Sequence, residues 1–229
     1  MARENLHRSP LRIAMMLIVP FAAIAWWRFG KPLSIGHVAW LAGFAGMLAI
    51  RIPHHSRNQK NAVEADAHDV SERVLLGAMW LASMVLPFLV IATPWFDAFD
   101  YRLPEIAVWI GVALLVPYLW LFWRSHADLG RNWSPGLEVR TEHELITRGV
   151  YARIRNPMYA AIWLGAFAQA LLIQNWIGGF AVIPAFAAMW FIRVPREEAM
   201  MRERFGAAWD AYVARSGRLA PPMGRRPAS

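Results

Sequence analysis

Residues 158–192 read MYAAIWLGAFAQALLIQNWIGGFAVIPAFAAMWFI, a run without a charged side chain. As one helix at about 1.5 Å per residue it would be near 50 Å long, against a hydrocarbon core of roughly 30 Å. The run therefore folds back on itself. Gln174-Asn175 and Gly178-Gly179 are the turn-forming residues in its middle, so the reversal falls there and two short membrane helices result.

Charge flanks this hairpin on both sides. Before it, the segment from His143 to Tyr159 carries His143, Arg148, Arg153 and Arg155, too polar for lipid, with turn chemistry at Gly149. Asn156-Pro157 predicts a helix start, because Asn caps orphan amides and Pro at the first helical position loses no needed hydrogen bond. After the hairpin stands Arg193-Val194-Pro195-Arg196-Glu197-Glu198. A hairpin returns the chain to the side it left, so the two charged clusters are expected to meet at one membrane face.

The rest of the chain supports a membrane class. It is 57% apolar with 13 tryptophans, above the roughly 45–50% apolar usage of soluble domains. The net charge of +8 lies in clusters between apolar blocks, and no nucleic-acid module is present, so nucleic acid is not an expected partner. With no cysteine, disulfides, thiolate metal sites and cysteine nucleophiles are excluded.

Four further apolar blocks precede the hairpin. The first, Ile13 to Trp27, follows a basic arm and ends in Trp26-Trp27-Arg28, bulky where a signal peptidase needs small residues, so it is read as a membrane helix. The second runs from about Leu33 to Ile50, with His37 read as an interfacial side chain. A polar connection, Arg51 to Arg73, contains His54, His55 and His68 without the spacing of a metal-binding helix; no metal is expected. The third block, Val74 to Phe96, should kink at Pro87 and Pro94, and the fourth runs from Glu105 to Trp123. Arg124 to Asn156 is the longest polar stretch, beyond the length that a loop without a function commonly reaches.

Positive charge tests the count of six. With the amino terminus inside, the inner side collects Arg3, Arg8, Arg12, Arg51, Arg57, Lys60, Arg73, the arginines from Arg124 to Arg155 and those from Arg193 to Arg226. The outer side keeps Arg28, Lys31 and Arg102, the asymmetry that short cytoplasmic loops show. Five segments would put the last cluster outside. Pro195 predicts a break or kink, and from Arg196 onward Met201, Phe205, Ala208, Trp209 and Tyr212 recur at helical spacing, giving a basic amphipathic helix closed by Gly217 and Pro221-Pro222. The expected fold is all-α and polytopic: about six membrane helices, the last two a short hairpin, and a cytoplasmic amphipathic helix at the carboxyl end. Residues 1–123 form the amino-terminal membrane part and residues 124–229 the functional part, with both termini cytoplasmic.

The order Leu129-Gly130-Arg131-Asn132-Trp133-Ser134, His143-x-Leu145-Ile146, Gly149-Val150-Tyr151, Arg155-Asn156-Pro157-Met158-Tyr159, hairpin, Arg193, Glu197-Glu198, Phe205-Gly206 and Tyr212 resembles the isoprenylcysteine carboxyl methyltransferase family, which is related to the phospholipid N-methyltransferases. The resemblance covers about the last hundred residues. It implies a membrane enzyme using S-adenosylmethionine and a lipophilic methyl acceptor, with the cofactor lined by His143, Glu144, Leu145, Ile146, Tyr151, Asn156, Pro157, Met158 and Tyr159 and held by Glu198. It also implies Arg193 beside the acceptor. Asn156 departs from it, standing where the family carries a histidine; Asn keeps the hydrogen bonding but supplies no imidazolium.

The chemistry of the residues agrees. Methyl transfer from a sulfonium needs alignment and exclusion of water rather than a metal. Glu197 or Glu198 can accept bonds from the cofactor's ammonium or ribose hydroxyls, Tyr151 and Tyr159 offer aromatic faces, and Arg193 offers a fork for an anionic acceptor. Taken singly, these residues also read as a helix-dipole pair, a helix start and interfacial anchors. Trp209 and Tyr212 are read as packing aromatics. The alternatives are a small-thiol methyltransferase of the same fold, a membrane NADPH-dependent reductase and a non-catalytic membrane scaffold. Membrane lipid is the expected surroundings; no obligate protein partner is inferred.

Overall fold

The computed structural model describes residues 10–58, 63–66, 70–130, 138–140 and 144–222. The described chain is helical apart from one small ribbon. In order come α1 (Pro10–Phe29), α2 (Ile35–Asn58), β1 (Val63–Asp66), α3 (Val70–Trp80), a π-turn (Leu81–Val85), α4 (Leu86–Ala92), α5 (Glu105–Leu129), β2 (Glu138–Arg140), α6 (Pro157–Ile173), a second π-turn (Trp176–Phe180), α7 (Val182–Phe205) and α8 (Ala207–Arg215). Strands β1 and β2 pair antiparallel, with Val63 opposite Arg140 and Asp66 opposite Glu138, and tie the α2–α3 connection to the α5–α6 connection. Among the described residues, four segments are long and apolar enough to cross a membrane: Ile35–Pro53, Val70–Ala92, Glu105–Leu129 and Trp176–Phe205. Ile18–Phe29 and Pro157–Ile173 are shorter apolar helices. The chain is an integral membrane protein, and its apolar helices follow the order that the sequence anticipates.

The third block, where a kink is expected at Pro87 and Pro94, is interrupted beside both prolines. Pro87 cannot donate to the carbonyl four residues back and its ring crowds that carbonyl. The chain widens into the π-turn Leu81–Val85 immediately before it, and the Ser83 hydroxyl donates to Met79 O at 2.6 Å. The helix then ends at Ala92, with Thr93 extended ahead of Pro94.

The hairpin reverses where expected. Gln174 takes the left-handed conformation at φ 48°, and Asn175 accepts from the amides of Ile177 and Gly178 at 2.9 Å each. The Asn175 amide nitrogen donates to Phe96 O and to Asp100, so this fully buried side chain also fixes the α4–α5 connection.

Two π-turns leave backbone carbonyls outside the regular ladder, and in lipid such groups need a partner from the protein. Gln169 of α6, 5% exposed, donates to Ala82 O and to Gly178 O at 2.9 Å each, one carbonyl in each π-turn. Its carbonyl accepts from Trp40 Nε1 at 3.3 Å. Around it Trp40 stacks on Phe44 and Phe88 meets both edge-on, packing α2 against α4 and α6. A Cβ at Gly36 would come within 2.1 Å of Leu172 O, so α2 and α6 touch backbone to backbone there.

Pro195 does not break the last membrane helix. It lies on the exposed side of α7, next to buried Arg193 and Val194, and the helix continues to Phe205. Gly206, at φ +50°, makes the break instead, so the amphipathic stretch expected from Arg196 is divided between the end of α7 and α8. The aromatic face of α8 turns into the protein: Trp209 and Tyr212 are buried, as expected of packing residues.

Candidate functional site

The end of α5, the start of α6, the second half of α7 and the start of α3 converge at one end of the bundle. The Asp97–Asp100 connection and the hairpin turn lie at the other, joined through Asn175 and through Tyr101 N, which donates to Gln174 O. The two charged clusters around residues 158–192 therefore do meet.

Asp128, in the last turn of α5, organises the approach to α6. It pairs with Arg124 at 2.7 Å and accepts the Val150 amide at 2.9 Å. Only glycine fits at 149, because φ is +59° and a Cβ would lie 2.1 Å from the Asp128 carboxylate. Tyr151 is buried one residue beyond Val150, its hydroxyl 3.4 Å from Ser125 O, while its own carbonyl accepts from the Tyr212 hydroxyl at 2.7 Å. Burial pushes the Tyr151 phenol above its ordinary range and that of Tyr212 up to about 12. Both act as neutral donors and walls.

From Arg153 to Asn156 the chain runs beside residues 217–218. Gly217 N donates to Arg153 O, Arg155 N to Gly217 O and Asn156 N to Arg218 O, with lengths of 2.9, 2.9 and 3.1 Å. Pro157 then opens α6, as expected, but the Asn156 side chain makes no capping bond. Its amide turns toward Glu198 instead, at 3.4 Å.

Glu197 and Glu198 are neighbours on α7 and face different partners, since successive helical residues diverge by about 100°. Glu198 receives Arg155 Nε at 3.0 Å and both Nε and Nη2 of Arg218, at 3.1 and 2.7 Å. Glu197 receives Arg193 Nε and the Tyr159 hydroxyl, each at 2.8 Å. Arg193 also pairs with Glu72 of α3 at 3.0 Å, an ion pair whose side chains are 8% and 1% exposed. Tyr159 packs against Phe186 and Trp190, so this ion cluster sits on an aromatic floor.

Of the residues expected from the sequence, Arg193, Tyr159 and Glu197 form one hydrogen-bonded set and Asn156 and Glu198 another, one helical turn apart on α6. Tyr151 belongs to the adjoining wall. Met158 packs among Leu121, Phe122 and Ala161. Glu144 is exposed, Leu145 half-buried and Ile146 buried. His143 lies outside the described residues, as does the Arg131 to Ser134 motif. Sequence reasoning missed Glu72, Arg155 and Arg218 as partners within the site. Glu72 reads as an ordinary acidic residue in a helix's first turn, and Arg218 as part of a basic tail.

Comparison with known proteins bears on this same region. The profile of the phospholipid methyltransferase family matches residues 106–208. Protein-S-isoprenylcysteine O-methyltransferase B of Arabidopsis thaliana is 27% identical over 88 residues, which are 38% of this chain and 45% of that protein. A protein-S-isoprenylcysteine O-methyltransferase of Schizosaccharomyces pombe is 27% identical over 71 residues, 31% of this chain and 30% of that one. The chain thus spans less than half the length of these curated relatives. Among solved structures, a eukaryotic intramembrane isoprenylcysteine carboxyl methyltransferase is similar with a TM-score of 0.47 and 19% identity, over 92% of this chain and 73% of that one.

Proposed function

We propose that this chain, similar to the phospholipid methyltransferase family over residues 106–208 and in part of its length to the isoprenylcysteine O-methyltransferases, is an S-adenosylmethionine-dependent methyltransferase acting on a lipophilic acceptor at the cytoplasmic membrane interface. The observation that carries this reading is the convergence of Arg193 and Tyr159 on Glu197 at the polar end of the hairpin, beside Glu198 and Asn156.

The residues fit the cofactor. Glu197 keeps 27% of its side chain exposed, so a carboxylate is reachable next to aromatic walls. It and the exposed Glu144 suit an ammonium or ribose hydroxyls, while Leu145, Ile146 and Met158 offer apolar contact to a purine. Tyr151 and Tyr159 add wall rather than hydrogen bonds, because both hydroxyls are engaged within the protein. Glu198 acts by holding Arg155, Asn156 and Arg218 together, and so would shape the site that receives the cofactor. When bound, the cofactor would supply a sulfonium methyl for in-line transfer to the acceptor's nucleophile, its sulfur leaving as a neutral thioether. Arg193 orients the acceptor, and the buried aromatic floor keeps water from the reacting atoms.

The acceptor reaches this point through lipid. Between its polar ends the hairpin carries Gln169 as a strongly polar side chain, and that one is committed to the protein interior. The arginine asymmetry supports a cytoplasmic Arg193 end, where a hydrophilic cofactor can enter.

Purified protein is titrated with S-adenosylmethionine and, separately, with NADPH; saturable binding of the first alone is expected, and binding of NADPH alone would favour a reductase. Incubation with methyl-labelled S-adenosylmethionine and a total membrane-lipid extract should move label into the organic phase. Label confined to a water-soluble or volatile product would remove the lipophilic acceptor and leave the methyltransferase standing.

A further inference from the structure

We propose that Glu72 is the positioning residue that sets the acceptor-side arginine, an inference that rests on the role given to Arg193 above. Glu72 belongs to α3, outside the family match at residues 106–208. Its side chain is 1% exposed, and its carboxylate lies 3.0 Å from Arg193 Nη1. A carboxylate is this deeply buried only when a charged partner and geometry compensate for its lost hydration.

Glu197, four residues on in α7, holds the same guanidinium at Nε. One carboxylate on the arginine's own helix can follow it through any tilt or rotation of α7. Glu72 cannot, because it is anchored on another helix. Glu197 holds Nε by a hydrogen bond, and the Glu72 carboxylate places a second negative charge 3.0 Å from Nη1 as an ion-pair contact without hydrogen-bond geometry, so the guanidinium is drawn toward α3 as well as along its own helix.

The surroundings keep Glu72 in place. Leu75, one turn along α3, is buried in one cluster with Tyr159, Phe186, Met189 and Val194, so α3 and α7 are packed through the site itself. Arg196 Nη1 donates to the Ser71 hydroxyl at 3.2 Å, a second polar tie between the two helices next to the ion pair. The amino-terminal membrane helices thereby contribute a side chain to the carboxyl-terminal reaction centre. Such a preorganised orientation affects the step in which the acceptor is aligned, and leaves cofactor affinity to Glu197, Glu198 and the loop.

The test uses full-length Glu72→Gln and Glu72→Asp proteins, assayed for S-adenosylmethionine affinity and for transfer of label into a total membrane-lipid extract, with rates normalised to cofactor-binding sites. Expected are a dissociation constant within about twofold of wild type and turnover reduced by roughly 10- to 100-fold, the scale of a small misplacement at a reaction centre. Combining Glu72→Gln with Arg193→Lys should cost little beyond Arg193→Lys alone. Should Glu72→Gln fail to fold, Glu72→Asp decides, since it keeps the charge and withdraws it by one methylene. Wild-type turnover in Glu72→Asp or Glu72→Gln, or losses that multiply with Arg193→Lys, would overturn the inference while the methyltransferase reading stands. Absence of transfer by the wild-type protein would overturn both.

Discussion

The two polar ends of the bundle hold themselves together in different ways. At the hairpin-turn end, side chains finish mostly on backbone: Asn175 on Phe96 O and two amides, Lys31 on Val90 O and Thr93 O, Gln174 on the Leu103 amide, with Asn175–Asp100 and Lys31–Asp97 as the side-chain pairs beside them. At the opposite end, charged side chains finish mostly on one another, in the sets Glu72–Arg193–Glu197–Tyr159 and Arg155–Glu198–Arg218. Bonds to backbone cap a fold. Side-chain pairs can exchange partners when a charged ligand arrives without uncoupling any helix, which is what a binding end requires.

Substitutions at the two ends should therefore separate stability from turnover. The largest effect is expected for Asn175→Ala, which removes four hydrogen bonds from a fully buried site. A loss of about 3 kcal/mol or more is expected, read as a large fall in thermal midpoint in detergent, with cofactor affinity of the surviving folded fraction unchanged. Next comes Arg193→Lys, whose ammonium cannot copy the guanidinium's reach to both Glu197 and Glu72; turnover should drop roughly 10- to 100-fold with S-adenosylmethionine affinity held within about twofold. A matching rise in the dissociation constant would move Arg193 to the cofactor side. Glu198→Gln should weaken cofactor binding by about fivefold to tenfold, through release of Arg155 and Arg218, as measured by equilibrium titration. The smallest change is expected for Lys31→Met: about 1 kcal/mol of stability and methyl transfer at the wild-type rate, since its partner Asp97 is half-exposed and can return to water. Sidedness has its own measurement. A thiol placed by Ala98→Cys should react with an impermeant reagent in intact cells, and one placed by Ala152→Cys should not; both positions are exposed and lie at opposite ends.

What could be read from the sequence was what local pattern encodes. The hairpin followed from length against membrane thickness and from turn formers found in one place, and the apolar blocks from composition. The meeting of Arg193 with Asn156 to Tyr159 followed from the hairpin itself, since a chain that leaves and returns must end where it began. Pairings between distant segments were not legible. Nothing near Glu72 marks it as a partner of a residue more than a hundred positions away, and Arg218 differs from its neighbours only in where the chain after α8 places it. Pro195 misled for a related reason: it lies on an exposed helix face and α7 continues through it, a circumstance that depends on packing rather than on the residues beside it.

Gln169 has a consequence for how the chain assembles during synthesis. Its amide joins Trp40 of α2, Ala82 in the first π-turn and Gly178 in the second, three bonds to segments inserted before, before and after it. When α6 leaves the ribosome, the first two partners are already in the bilayer and the third is not yet made. The hairpin can reach its final depth only against helices that arrived earlier. Residues 124–229 produced alone would keep one of those bonds and carry the rest of a polar amide into lipid. Two halves made as separate chains would thus have a polar reason to find each other, located in the apolar part of the bundle near the hairpin turn.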